Sequence, residues 1–143
     1  MLHLNTMRYG CYLAPVLLLL LFIISACMDE QSNENNRLRE EIISVHDEAM
    51  DKIGYMYELE ITLQAIPVAD PATKQARDEA VAKLQLANKK MFDWMHQYQT
   101  LAVSQDIAED NRYRKQQLLL IQDVQLVTDE SIKKSEKLLN SDR

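Results

Sequence analysis

Residues 37 to 66 read RLREEIISVHDEAMDKIGYMYELEITLQAI, and the placing of their apolar side chains decides the fold. Leu38, Ile42, Val45, Ala49, Met56, Leu59, Leu63 and Ile66 recur at spacings of three, four and seven. That is the period of one helix face, not the alternation of a strand. Seams of this kind pack against other helices as the a and d positions of a coiled coil do. Lys52 falls on the seam, with Ile53 beside it. Pro67 stops the helix and Asp70-Pro71 starts the next. Asp70 supplies an N-cap carboxylate, and Pro71 takes the first helical position, where its missing N–H costs nothing.

Working outward, the second helix runs from 71 to about 101, with Ala80, Leu84, Ala87, Met91, Trp94, Met95 and Tyr98 on one face. A polar linker from about Ser104 to Glu109 follows. The third helix, about 109–140, carries Tyr113, Leu120, Val124, Val127 and Leu138 on its seam. No stretch alternates with period two for long enough to make a strand. Three amphipathic helices, about 37–66, 71–101 and 109–140, with short connections predict an all-α fold over 37–143: an antiparallel, up-down-up, coiled-coil-like three-helix bundle. Turns centred near 68 and 105 set Glu60 level with Arg77. The expected interhelical ion pair contributes about 0 to 1 kcal/mol.

Ahead of the helices the composition changes. Leu13 to Ile24 is a run of twelve apolar residues, short of the roughly twenty that a spanning helix needs. It leads into Ile24-Ser25-Ala26-Cys27, which resembles the lipobox of bacterial lipoprotein signal peptides. Such a site takes an aliphatic residue three positions before the cysteine and small residues just before it. Residues 1–26 are thus expected to be a removable signal peptide. Cys27 then becomes the lipidated first residue, held at the bilayer by three acyl chains where two signals suffice. Residues 28–36, MDEQSNENN, lack an apolar pattern and read, with the lipidated cysteine, as a flexible tether over 27–36. Met28 stands where an inner-membrane retention signal would place aspartate, so the outer membrane of a Gram-negative envelope is the expected address.

Charge and glycine content narrow the function. The formal net charge is −6, and loss of Arg8 with the leader takes it to about −7. Nucleic-acid binding needs a cationic face, so it is excluded as an expectation; Arg112, Arg114 and Lys115 read as a solvated helix face. Cys11 leaves with the leader, so the mature chain has neither a disulfide nor a free thiol. Gly54 is its one glycine, which leaves no phosphate-cradling loop and no nucleophile elbow. No enzyme and no cofactor is expected beyond the lipid on Cys27.

Two constellations remain. His46 on the first helix and Met91 and Met95 on the second are imidazole and thioether donors suited to copper, or with zinc as a further candidate, and Trp94 lies beside them. Met and Trp at helical spacing also serve as ordinary core. Ser44, His46 and Asp47 are too close along one helix to face each other as a catalytic set, and Asp93-x-x-His96 only half matches the Glu-x-x-His repeat that a dinuclear carboxylate site needs from paired helices, which makes no site. The second constellation is a stripe, Ile43, Met50, Gly54, Tyr57 and Ile61, offset by roughly 100° from the first seam. Leu86, Leu118, Leu119 and Leu126 likewise point away from their seams. Such a stripe is either broad burial or the seat of a partner helix or a second copy, with its glycine admitting close approach.

The segments His46-Asp47-Glu48-Ala49-Met50 and Met91-Phe92-Asp93-Trp94-Met95-His96-Gln97-Tyr98 together resemble a group of short bacterial lipoproteins, some of which carry the label "viral A-type inclusion protein". The resemblance implies a lipidated helical bundle of the cell envelope and supplies no catalytic residues. The function expected is a membrane-anchored helical interaction or assembly module. A periplasmic metal-binding lipoprotein is the alternative.

Overall fold

The computed structural model describes residues 30–67 and 70–141. Among them every regular element is a helix: α1 over 30–50, α2 Ile53–Ala65, α3 Pro71–Gln97 and α4 Ile107–Ser141. The expected first helix is therefore two, with a turn at residues 51–52. The Asp51 N–H still reaches the Asp47 carbonyl at 3.0 Å, but the Lys52 N–H turns to Ala49, three residues back, at 3.2 Å. A tightened turn beside Gly54 is where a helix bends at least cost. The seam survives the bend: Leu38, Ile42 and Ala49 on α1, and Met56, Leu59 and Leu63 on α2, are all buried. At the start of α3, Asp70 Oδ1 accepts from the Ala72 and Thr73 amides at 2.8 and 3.0 Å, with Pro71 in the first turn. That helix stops at Gln97, short of residue 101, because Tyr98 is extended, with ψ 126°.

Two apolar clusters fill the interior. Ile42 and Ala49 of α1 meet Met91 and Trp94 of α3 and Ile121 and Val124 of α4. Further along, Met56, Leu59 and Leu63 of α2 meet Ala80, Leu84 and Ala87 of α3. The alanines of α3 make room for the larger side chains of α2. Burying one of the latter stabilises the fold by about 1.5–3 kcal/mol.

The seam of α4 is the expected one only in part: Val124 is buried, and Val127 and Leu138 are half-buried against the second cluster, but Leu120 is exposed. Its buried positions are Asp110, Asn111, Arg114, Gln117, Ile121, Val124, Thr128, Ser131 and Ser135. Leu120 is 45% exposed while its neighbour Ile121 is 0%, so the inward row passes through Ile121 and not Leu120. Arg114, expected on a solvated face, lies inside. Lys52 to Asp129 at 2.7 Å and Tyr55 to Glu136 at 2.8 Å hold this stretch beside α2, whose Met56, Leu59 and Leu63 already occupy the interior. The small side chains of Thr128, Ser131 and Ser135 take the most buried places on this stretch, with Val127, Ile132, Leu138 and Leu139 half-buried beside them. Ser131 and Ser135 donate back to the carbonyls of Thr128 and Ser131, both at 2.8 Å, so their burial leaves no unmade bond.

Cross-helix pairs fix the levels. Lys90 meets Asp123 at 2.8 Å and Lys134 meets Glu79 at 3.1 Å, within a turn of the levels the sequence predicts for α3 and α4. Between α2 and α3 the levels differ. Gln85 donates to Glu60 at 2.6 Å and Asn88 to Tyr57 at 2.9 Å. Glu60 thus sits about two turns further along α3 than Arg77, which bonds its neighbour Asp78 at 2.9 Å. The expected Glu60–Arg77 ion pair is not made. Ile66, restricted by Pro67, is extended (ψ 127°), and so is Asp70 (φ −151°, ψ 164°). An extended residue advances more than twice as far as a helical one, so α3 starts beyond the end of α2.

Candidate functional site

The most developed polar cluster lies where α1 and α4 begin and α3 ends. Asp110 and Arg114, one turn apart on α4, are 2% exposed each. Arg114 Nε donates to Asp110 Oδ2 at 3.0 Å and to Asn35 Oδ1 at 3.2 Å, and its Nη1 to the Tyr98 hydroxyl at 3.4 Å. Asn35 Nδ2 donates to Asp110 Oδ2 at 2.7 Å and to Asn111 Oδ1 at 2.8 Å. Asn111 Nδ2 in turn reaches the Gln31 carbonyl at 3.0 Å. Asp110 Oδ1 accepts from the Val103 amide at 2.9 Å, which ties the α3–α4 connection to the same carboxylate. Lys115 and Glu34 close the rim at 2.8 Å.

This cluster corrects the tether expected over residues 28–36: positions 30–36 are the first two turns of α1. Nothing apolar marks them because hydrogen bonds, not burial of hydrocarbon, hold them. Burial pushes the Asp110 carboxyl up, but the Val103 amide, Asn35 and Arg114 together outweigh it and hold it below its ordinary range. A carboxylate with that many donors on it is a weak base. Chemically the arrangement serves as a clamp. Sequence reasoning missed all four of Asn35, Asp110, Asn111 and Arg114; the one signal that could have found them is the spacing Asp110-x-x-x-Arg114, which puts opposite charges on one helix row.

An aromatic ladder leads away from the clamp. The rings of Tyr113 and Tyr98 are 6.4 Å apart, those of Tyr98 and Trp94 4.7 Å, and those of Trp94 and His46 5.6 Å. His46 Nδ1 lies 2.8 Å from Asp47 Oδ1, so its ring is held between a carboxylate and the indole. Met91 is fully buried among Ile42, Ala49, Ile121 and Val124, whereas Met95 lies exposed on the surface. The three donors of the metal reading thus occupy three different surroundings: an aromatic flank, a hydrocarbon core and open solvent. Among the described residues no group of three or more His, Cys, Asp or Glu could hold a metal ion.

The second stripe stays largely uncovered. Ile43, Tyr57 and Ile61 are 38%, 50% and 68% exposed, while Met50 leans into the core. Gly54 faces open space: a Cβ built there meets nothing within 4 Å. Phe92 and Met95 of α3 are exposed too, as are Leu86, Leu119 and Leu126, whereas Leu118 packs inward. Cys27, expected to carry lipid, and residues 1–26, expected to be a signal peptide, lie outside the described residues. Among the described residues no helix is long and apolar enough to cross a membrane.

No family model matches this chain, and comparison with curated proteins and with solved structures gives no match either.

Proposed function

We propose that the chain is a lipid-anchored envelope protein whose helical bundle works by contact with another helix and performs no catalysis. The observation that carries this reading is the stripe of Ile43, Tyr57 and Ile61, exposed on one side of α1 and α2, with Gly54 open at its middle. Exposed apolar side chains in a row, on a helix whose other face is already packed, suit a partner helix. The open glycine lets that partner's backbone come close. The lipobox Ile24-Ser25-Ala26-Cys27 supports the anchor, and Met28 after the cysteine supports the outer membrane of a Gram-negative envelope. Membership of the lipoprotein group with the HDE-x-M and WM-x-x-Y segments belongs to the same proposal. The up-down-up order of the bundle is supported by the pairings: partner numbers fall along α3 as they rise along α2 and α4, and rise together on α1–α2 and α4.

The test is a photo-crosslinker at position 57 of the full chain in intact envelopes, with light scattering of the purified protein. A discrete crosslinked species, either a dimer of this chain or one partner protein, is the expected result. A strict monomer that crosslinks to nothing at position 57 overturns the reading.

A further inference from the structure

The clamp fixes more than the start of α1. Through Asp110 it holds Asn35 and Val103 against one carboxylate, so the first turns of α1 and the α3–α4 connection form one end of the bundle. That end carries Leu101, 78% exposed, and Val103, 40% exposed, with Ala102 exposed between them. Among the described residues, neither core cluster has Leu101 or Val103 packed against it.

Chain length says what covers it. Two residues, Met28 and Asp29, separate Cys27 from Glu30, and in any conformation three chain steps reach no further than about 10 Å. A cysteine carrying acyl chains stays at the headgroup level, a zone itself several ångströms deep. The end of the bundle that bears Leu101 therefore lies at the bilayer surface, with no long tether to carry it away. We propose that Leu101 and Val103 insert into the membrane interface, so that the lipid surface is the occupant of this apolar tip and the bundle docks on it end-on. The inference rests on lipidation of Cys27, proposed above. The charges around the tip, Glu30, Glu34, Asp106 and Glu109 against Arg37, Arg112 and Lys115, give no cationic excess, so apolar insertion supplies the contact and anionic lipid adds little.

The experiment uses the full, processed chain reconstituted in vesicles of phosphatidylethanolamine and phosphatidylglycerol that carry a nitroxide-labelled phosphatidylcholine. An environment-sensitive dye is attached at Leu101→Cys in one sample and at Leu126→Cys in another, both exposed sites. Position 126 lies roughly 24 Å along α4 from Asp110, which holds Val103, by the helical rise. The dye at 101 is expected to shift to the blue and to be quenched several-fold more than the dye at 126. Intact mass reads the anchor separately: a chain without the added lipid mass overturns the anchor, and the docking with it. With the lipid mass present, three results overturn the docking alone: no quenching at 101, equal quenching at both sites, or a blue shift at 101 without quenching in a dimeric protein, which assigns the tip to a second copy.

Discussion

Asp110 is the residue on which the clamp turns, because its two oxygens serve α1, α4 and the α3–α4 connection at once. Its folded carboxyl titrates below the ordinary value of 3.8. The stability it contributes is therefore complete above that value and is lost as pH falls through the lower, folded value. Asp110→Asn leaves Arg114 buried without its counter-charge, which costs about 3–5 kcal/mol at neutral pH. The variant should also lose stability less steeply than the parent on acidification, as chemical denaturation at neutral pH and near pH 3 will show. Equal acid slopes would mean that the carboxylate does not carry this stability. Gly54 behaves in the opposite sense. Nothing lies within 4 Å of a Cβ added there, so Gly54→Ala should stabilise the isolated domain by up to about 1 kcal/mol. If the stripe seats a partner helix, the same change should weaken crosslinking at position 57. A stabilised variant with undiminished crosslinking would separate the glycine from the contact.

At the level of the element, α4 decides how far the fold was legible. The seams of α1, α2 and α3 were readable because Leu38 through Leu63, and Ala80 through Trp94, put hydrocarbon at every inward position. On α4 the inward row is Arg114, Gln117, Thr128, Ser131 and Ser135 around Ile121 and Val124, while Leu119, Leu120 and Leu126 face out. Hydrophobic period finds Val124 and the half-buried Val127 and Leu138, but it puts Leu120 inside and cannot register an inward row made of polar side chains. The two faces are separable by mutation. Ile121→Ala should cost about 2–5 kcal/mol through lost burial and the cavity left behind, and Leu120→Gln should stay within about 0.5 kcal/mol; the reverse order in thermal melts would restore the seam read from the sequence. Thr128 adds a finer test. Its hydroxyl is buried with no partner, so Thr128→Val should raise stability by about 1 kcal/mol. A loss would show that the hydroxyl is bonded after all. The register of α2 on α3 was hidden for another reason, since the number of residues in a connection does not say whether Ile66 and Asp70 coil back or run extended.

Across the whole molecule the two ends are held by different forces. At the α2 end, Met56, Leu59 and Leu63 with Ala80, Leu84 and Ala87 make a hydrocarbon core, which resists opening in proportion to the area it buries. At the other end, residues 30–36 and the connection before Ile107 depend on a few hydrogen bonds through Asn35, Asp110 and Asn111, each worth about 0.5–1.5 kcal/mol net and more where charge takes part. This end is the one nearest in the chain to Cys27, so the proposed anchor would adjoin the end expected to have the lower local stability. Segments of that kind open as units well below the global unfolding free energy. Asn35→Ala removes the side chain that links α1 to Asp110, Asn111 and Arg114 together. Amide hydrogen exchange on the variant should quicken jointly over residues 30–38 and 100–110, while residues 56–63 keep the protection of the parent. Coupled opening of two segments that are remote in sequence is what a shared clamp requires. Faster exchange confined to 30–38 would instead mean that Val103 holds the connection on Asp110 without help from α1. Uniform acceleration through 56–63 would mean that the bundle opens as a single unit and that the two ends are not energetically distinct.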